Sequence, residues 1–119
     1  MSMKRRGDWD RNMSAMHQLC FYVPETHAAA VKAAVFAAGA GQFGNYDQCS
    51  WETAGTGQFR PLAGSRPFLG REGGVETVRE LKIELLCAEE HVAAVVAALK
   101  AAHPYETPAF CHWPVAGVA

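Results

Sequence analysis

The chain has 119 residues, of which 50% are hydrophobic and 19% charged, and its net charge is −1. This length fits one domain with a single core, and the balanced charge leaves no basic surplus for nucleic acid. No stretch approaches the ~18 consecutive apolar residues that a membrane-spanning helix needs. We therefore expect neither nucleic acid nor membrane as a partner.

The start of the chain is basic but does not resemble a targeting segment. Residues 1–15 contain Lys4, Arg5 and Arg6 without a following apolar stretch, unlike a signal peptide. We expect 1–15 to be a disordered leader, with Met16 as a second start, and 16–119 to form one domain. The four cysteines form no C-x-x-C pair, which together with the missing signal peptide predicts reduced thiols in the cytoplasm.

The first predicted unit is a strand followed by a helix. Residues 17–23 alternate with the period of a half-buried strand, and 25–38 carry apolar residues at helical spacing up to Gly39, a typical helix-ending residue. The loop 39–44 matches the letters G-x-G-x-x-G, but a helix precedes it and a strand follows it. The dinucleotide-binding motif has the reverse order, so we reject a nucleotide site there.

The second half of the chain is predicted to add three strands, a helix and a long loop. The loop at 61–74 is rich in Gly and Pro, the strand at 80–87 alternates most clearly, and Pro104 ends the helix at 88–102. In chain order we predict a strand at 48–53 with a turn at 54–57 that leads into a β-hairpin extension, a loop at 61–74 pinned to the domain by Phe68 and Leu69, a strand at 80–87 that begins as early as Val75, a helix at 88–102 and a strand at 109–113.

The order of these elements predicts the fold class. Strand, helix, strand, strand, helix, strand is typical of the α+β, ferredoxin-like split βαβ arrangement, in which an antiparallel sheet carries both helices on one face. The other face would expose Cys20, Tyr22 and similar residues, which are too apolar to be left in water. A second layer must therefore cover it.

Two motifs link the chain to a known family. Residues 103–109 read His-Pro-Tyr-Glu-Thr-Pro-Ala and resemble the His-Pro-Tyr-Glu-x-Pro signature near the end of CutA-like domains. The runs 44–51 and 57–62, Gly-Asn-Tyr-Asp-Gln-Cys-Ser-Trp and Gly-Gln-Phe-Arg-Pro-Leu, narrow the match. Together the motifs resemble the YqfO-type insert of the dinuclear-metal-centre hexameric proteins, the NGG-interacting-factor family, here as a free-standing domain over 16–115.

The resemblance implies a CutA/PII-like domain that covers its open sheet face by forming a homotrimer. The larger family builds its dinuclear metal site from flanking domains, and this chain is too short to contain them. The hydrolase or cyclohydrolase activity attached to full-length members is therefore not carried over. We assign no catalytic residue.

The candidate site residues fall into two polar clusters. The first is His103, Tyr105 and Glu106, and the second is Asn45, Tyr46 and Asp47 with Cys49 and Trp51 beside them. Pro104 and Pro108 hold the first cluster on a nearly extended backbone. We predict that the two clusters face each other across a cleft between subunits and bind a small ligand. Asn and Asp also cap turns through their own backbone, and a histidine at a helix end also serves as a hydrogen-bonded turn residue.

Three functions remain open. The first is a binding or regulatory module, for which His103→Ala and Glu106→Gln should abolish ligand binding and leave the melting temperature within a few degrees. The second is a copper-type divalent-metal protein with His103 and Glu106 as ligands, joined by Cys111 or His112; a divalent metal ion is the one cofactor considered. The third is a small hydrolase that uses Asp47 or Cys49, which ranks last because no base is local to Cys49.

Overall fold

The computed structural model describes residues 15–117. The predicted leader at 1–15 lies almost entirely outside this range. One turn of 3-10 helix, Glu25–His27 and Glu89–His91, precedes each α-helix. The main elements are β1 (Met16–Pro24), α1 (Ala28–Ala37), β2 (Trp51–Phe59), β3 (Glu76–Ala88), α2 (Val92–Ala102) and β4 (Phe110–Val115).

The four strands form one antiparallel sheet in the order β2-β3-β1-β4. β1 lies in the centre, with Phe21 opposite Ile83 of β3 and opposite Phe110 of β4. Both helices pack on the face to which these residues point. The predicted α+β, split βαβ fold class is confirmed.

The core lies between the sheet and the two helices. Alternation places Leu19, Phe21 and Val23 of β1 toward the helices, and all three are buried. The helices contribute residues at helical spacing, including Val35 and Leu99, which are fully buried. Truncation of such a side chain to alanine costs about 2–5 kcal/mol, so this layer holds the sheet and helices together.

Gly39 ends the first helix as predicted. Its φ of +117° lies in the region that favours glycine, and a Cβ there would stand 2.8 Å from Nδ1 of His91. The loop after it runs toward β2 and does not open a helix. Gly39 therefore lets the chain reverse direction after α1 and lets the end of α1 pack closely against His91, just before α2.

The predicted turn at 54–57 is wrong, because β2 runs straight through it. The strand begins at Trp51, later than the predicted start at Gln48, whose φ of +55° is not that of a strand. Gly55 and Gly57 pair with Glu80 and Val78 of β3. Because β3 is 13 residues long, it supplies hydrogen-bond partners that outweigh the weak strand preference of glycine. The hairpin connection is the later loop at 60–75.

The sheet face opposite the helices, here called the open face, carries Cys20, Tyr22, Trp51 and Trp113. Cys20 is 3% exposed within the single chain, so the apolar character expected of this face does not come from its thiol. It comes from the aromatic side chains of Tyr22, Trp51 and Trp113, which are 39%, 70% and 43% exposed.

Within residues 15–117, no helix has the length and apolar character required to cross a bilayer.

Candidate ligand-binding site

Both ring nitrogens of His103 are hydrogen-bonded, one to β1 and the other to its own segment. Because Pro104 cannot continue α2, His103 leaves the helix with an extended backbone, φ −72° and ψ 135°. Its Nε2 donates to the carbonyl oxygen of Tyr22 at 2.7 Å, and its Nδ1 accepts from the backbone N–H of Tyr105 at 3.1 Å. Burial lowers the pKa of His103. A neutral imidazole therefore locks the 103–109 segment onto the sheet.

Tyr105 is held by a carboxylate on strand β3 of the sheet. Its hydroxyl donates to Oε2 of Glu80 at 2.8 Å. Burial raises the pKa of Tyr105, and the hydrogen bond to the Glu80 carboxylate raises it further. The phenol therefore stays neutral and remains a donor to Glu80.

The loop at 60–75 is fastened over the same end of the sheet. Its backbone N–H at Arg66 donates to Oε2 of Glu106 at 3.0 Å, and the ring of Phe68 packs edge-on against His27 at 5.1 Å between centroids. The N–H of Gly73 donates to the carbonyl of Pro61 at 2.8 Å and closes the loop at its base. The prediction that Phe68 pins this loop to the domain is confirmed.

These contacts border an open pocket of about 340 Å³, here called the loop cavity. Aromatic and apolar side chains form most of its wall, while Glu80 and Glu106 bring carboxylates to it. Its size lies at the small end of the range for ligand pockets. The cavity is lined by Tyr22, Gly57, Gln58, Phe59, Pro61, Ser65, Pro67, Phe68, Leu69, Glu80, Tyr105, Glu106, Thr107 and Ala109.

The second predicted cluster, here called the turn cluster, comprises Asn45, Tyr46, Asp47, Cys49 and Trp51. Phe43 and Tyr46 exchange two backbone hydrogen bonds, which makes this stretch a tight turn. Asp47 lines an open depression of about 580 Å³ beside Lys32, whereas Cys49 and Trp51 line another of about 350 Å³. The thiol of Cys49 donates to the carbonyl of Asp47 at 3.6 Å, a contact that supplies no base.

The structure does not bring the two predicted clusters together within one chain. Cys49 and Trp51 share their depression with Gln18, near the start of β1. Tyr105 and Glu106 share the loop cavity with Tyr22, near the end of the same strand. A joint site therefore requires a second subunit.

Sequence reasoning missed Glu80, Phe59 and Tyr22 as site residues. Glu80 reads as an outward-facing strand residue, and nothing nearby in sequence marks it as the partner of Tyr105. One signal was present: a glycine within a strand often marks a close approach by another group. A Cβ at Gly57 would overlap the Glu80 carboxylate, so the glycine makes room for this side chain.

The predicted metal ligands do not form a metal site in this arrangement. Both ring nitrogens of His103 are engaged by the backbone. His112 lies elsewhere, with its Nδ1 3.1 Å from Nδ1 of His17. Across residues 15–117, no three His, Cys, Asp or Glu side chains are grouped as a metal ion would require. In the single chain His103 therefore acts as the hydrogen-bonded turn residue considered above, and metal binding by His103 and Glu106 stays a prediction.

The fold is that of the CutA1-like proteins. A sequence model of the family described as "CutA1 divalent ion tolerance protein" matches residues 69–119. The CutA protein of Archaeoglobus fulgidus, described as a periplasmic divalent cation tolerance protein, aligns with 84% of this chain and 83% of its own, at 20% identity and a TM-score of 0.60. CutA1 of Pyrococcus horikoshii aligns with 87% of this chain and 86% of its own, at 17% identity and a TM-score of 0.62. At such identity the likeness defines the fold alone.

Sequence identity is higher to one segment of a group of longer proteins than to these CutA structures. The GTP cyclohydrolase 1 type 2 homolog of Mycobacterium leprae is 48% identical over 98 residues, which is 82% of this chain and 26% of that protein. The homolog of Halalkalibacterium halodurans is 44% identical over 102 residues, which is 86% of this chain and 27% of that protein. A Bacillus cereus protein related to NIF3 matches 84% of this chain and 25% of its own, with 37% identity and a TM-score of 0.72.

The chain is therefore homologous to the CutA-like insert region of the GTP cyclohydrolase 1 type 2 homologs, and the predicted resemblance is confirmed. It spans about a quarter of the length of these relatives. The activity in their name belongs to proteins of which this chain matches only about a quarter, so it does not pass to this domain by similarity.

Proposed function

We propose that this chain is a homotrimeric binding module that holds a small molecule in the loop cavity. The observation that supports it most is the cavity itself, whose wall is built from three separate parts of the chain: the strands, the 60–75 loop and the segment after α2. Hydrogen bonds at His103, Tyr105 and Glu106 fix these parts to one another. A preformed apolar pocket with a few fixed polar groups is typical of a ligand site.

The exposed aromatic residues of the open face support association. Trp51 lies on the edge strand β2 and Trp113 on the edge strand β4, and both are exposed in the single chain. Burial of such side chains favours association, since aromatic residues are enriched in interfaces. A trimer would also cover the free strand edges.

We also propose that the turn cluster meets the loop cavity of a neighbouring subunit. The interface of a cyclic trimer joins two different surfaces, so residues near the start of β1 in one subunit can meet residues near its end in the next. Tyr46 is 73% exposed in the single chain, and Trp51 is nearly as exposed. In this arrangement Asn45 and Asp47 would complete the polar rim of the cleft.

Light scattering tests the assembly. We expect the chain, of mass 12.9 kDa, to give three times that mass at micromolar concentration. Trp51→Glu places a charge at the proposed interface and should shift the mass toward the monomer. The matched control is Ala101→Glu, on the exposed side of α2, which should leave the trimer intact. A monomeric wild-type chain would refute the trimer.

Calorimetry separates this proposal from the divalent-metal alternative. The locked His103 predicts no saturable heat with copper, zinc or manganese that depends on His103 or Glu106. Saturable copper binding that disappears in Glu106→Gln would favour the alternative instead.

A further inference from the structure

We infer that the loop cavity selects small organic cations that carry an apolar group, an arylalkylamine being the simplest example. This inference rests on the proposed binding function, because it names the ligand class for the same cavity. It depends on three features: the sign of the charge at the wall, the aromatic rings around it, and the placement of the Glu80 carboxylate.

The charged groups that reach the cavity are both acidic. Glu80 and Glu106 line it, and among the described lining residues none is Lys, Arg or His. Within residues 15–117, neither carboxylate forms an ion pair with a basic side chain. The cavity therefore presents negative charge that a cationic ligand would neutralise, and an anionic ligand would meet repulsion.

Aromatic rings surround these carboxylates. The centroid of the Tyr105 ring lies 6.1 Å from that of Phe59 and 6.4 Å from that of Phe68, and Tyr22 completes the wall. The faces of such rings attract an ammonium group within about 6 Å. The same rings offer apolar surface to the rest of the ligand, so a cation with an aromatic or alkyl group fits both features.

The Glu80 carboxylate is held with one oxygen engaged and one beside the glycine. Its Oε2 accepts the Tyr105 hydroxyl, while its Oε1 occupies the space that a Cβ at Gly57 would fill. Tyr105 thus orients the carboxylate without using both oxygens. The Oε1 atom is left as an acceptor for an ammonium N–H, a charge-assisted hydrogen bond.

A bare divalent ion suits the cavity less well than an organic cation. Hard cations take about six to eight oxygen ligands, whereas this wall supplies two carboxylates among apolar groups. A neutral ligand would fill the apolar part but would leave the acidic charge unpaired. The organic cation matches charge and apolar surface together.

The test is calorimetric titration of the full chain with three probes of similar shape: phenethylamine, 2-phenylethanol and phenylacetate. We expect saturable binding of the amine, at least tenfold weaker binding of the alcohol, and none of the acid. Amide chemical shifts recorded during the amine titration should move at Phe68 and Tyr105, which locates the ligand in the loop cavity.

Three substitutions sharpen the assignment. Glu80→Gln keeps an acceptor for Tyr105 but removes the charge, and we expect about tenfold weaker amine binding. Glu106→Gln, at an exposed position, should weaken it by a few fold. The control is Glu90→Gln, an exposed carboxylate that does not line the cavity, which should leave binding unchanged.

The outcomes separate the ligand class from the binding function. Equal binding of amine and alcohol, or unchanged amine binding in Glu80→Gln, overturns the choice of organic cations while the cavity remains a binding site. If none of the three probes binds or moves the cavity resonances, both the ligand class and the proposed function are refuted.

Discussion

The two ends of the sheet carry similar residue types in different settings. At the loop cavity, His103 and Tyr105 are hydrogen-bonded to groups on β1 and β3. In the turn cluster, Tyr46 and Cys49 are hydrogen-bonded to backbone groups of the same loop, at Phe43, Asp47 and Gly41. The difference shows that distant elements fix the side chains beside the loop cavity, whereas bonds within one loop leave the turn cluster on the surface.

The largest expected effect contrasts the two ends directly. His103→Ala removes two hydrogen bonds of a buried side chain and leaves the Tyr22 carbonyl without its imidazole donor, so we expect a loss of about 2–4 kcal/mol in unfolding free energy. Asn45→Ala, at an exposed position of the turn cluster, should stay within about 0.5 kcal/mol. Denaturant unfolding measures both. This replaces the sequence-based expectation that His103→Ala leaves the melting temperature nearly unchanged. Equal stability of the two variants would remove the distinction between the ends.

A smaller effect is expected at the glycine beside Glu80. In Gly57→Ala the new methyl group overlaps the carboxylate and displaces it, which should break its bond to Tyr105 at a cost of about 1 kcal/mol and weaken binding in the cavity. Gly55→Ala is the matched control, because nothing lies within 4 Å of its Cβ. Unfolding and ligand titration of both variants check this. A loss in Gly55→Ala as large as that in Gly57→Ala would contradict the role of Glu80.

The smallest effect concerns pH. Because burial lowers the pKa of His103 below its ordinary value of 6.5, the unfolded chain binds the proton more readily than the folded one. The stability of the neutral ring is therefore fully present above about pH 6.5 and is lost as pH falls toward the lower folded value. Unfolding at pH 7.5, 6.5 and 5.5 should show this decline. His103→Gln keeps a donor for Tyr22 but does not titrate, so an equally steep decline in that variant would exclude His103 as the source.

Much of the fold could be predicted because its signals are local. The alternation in β1 and β3, Gly39 after the first helix and Pro104 after the second each act within a few residues. The turn at 54–57 was mispredicted because Gly55 and Gly57 look like turn residues until the long partner strand is considered. Their pairing with β3 is a tertiary fact.

By itself the sequence determined the order of elements, the apolar layer under the helices and the stiff 103–109 segment, since these follow from periodicity and from proline geometry. Only the tertiary structure decided what the polar residues do. His103 meets Tyr22 across 81 residues of chain, and Tyr105 meets Glu80 across 25. Side-chain hydrogen bonds act over about 3 Å, so residues far apart in sequence become partners only after strands and loop are packed. For that reason the sequence did not reveal that the His103 imidazole is hydrogen-bonded to β1 and to its own segment, or that Glu80 lines the cavity.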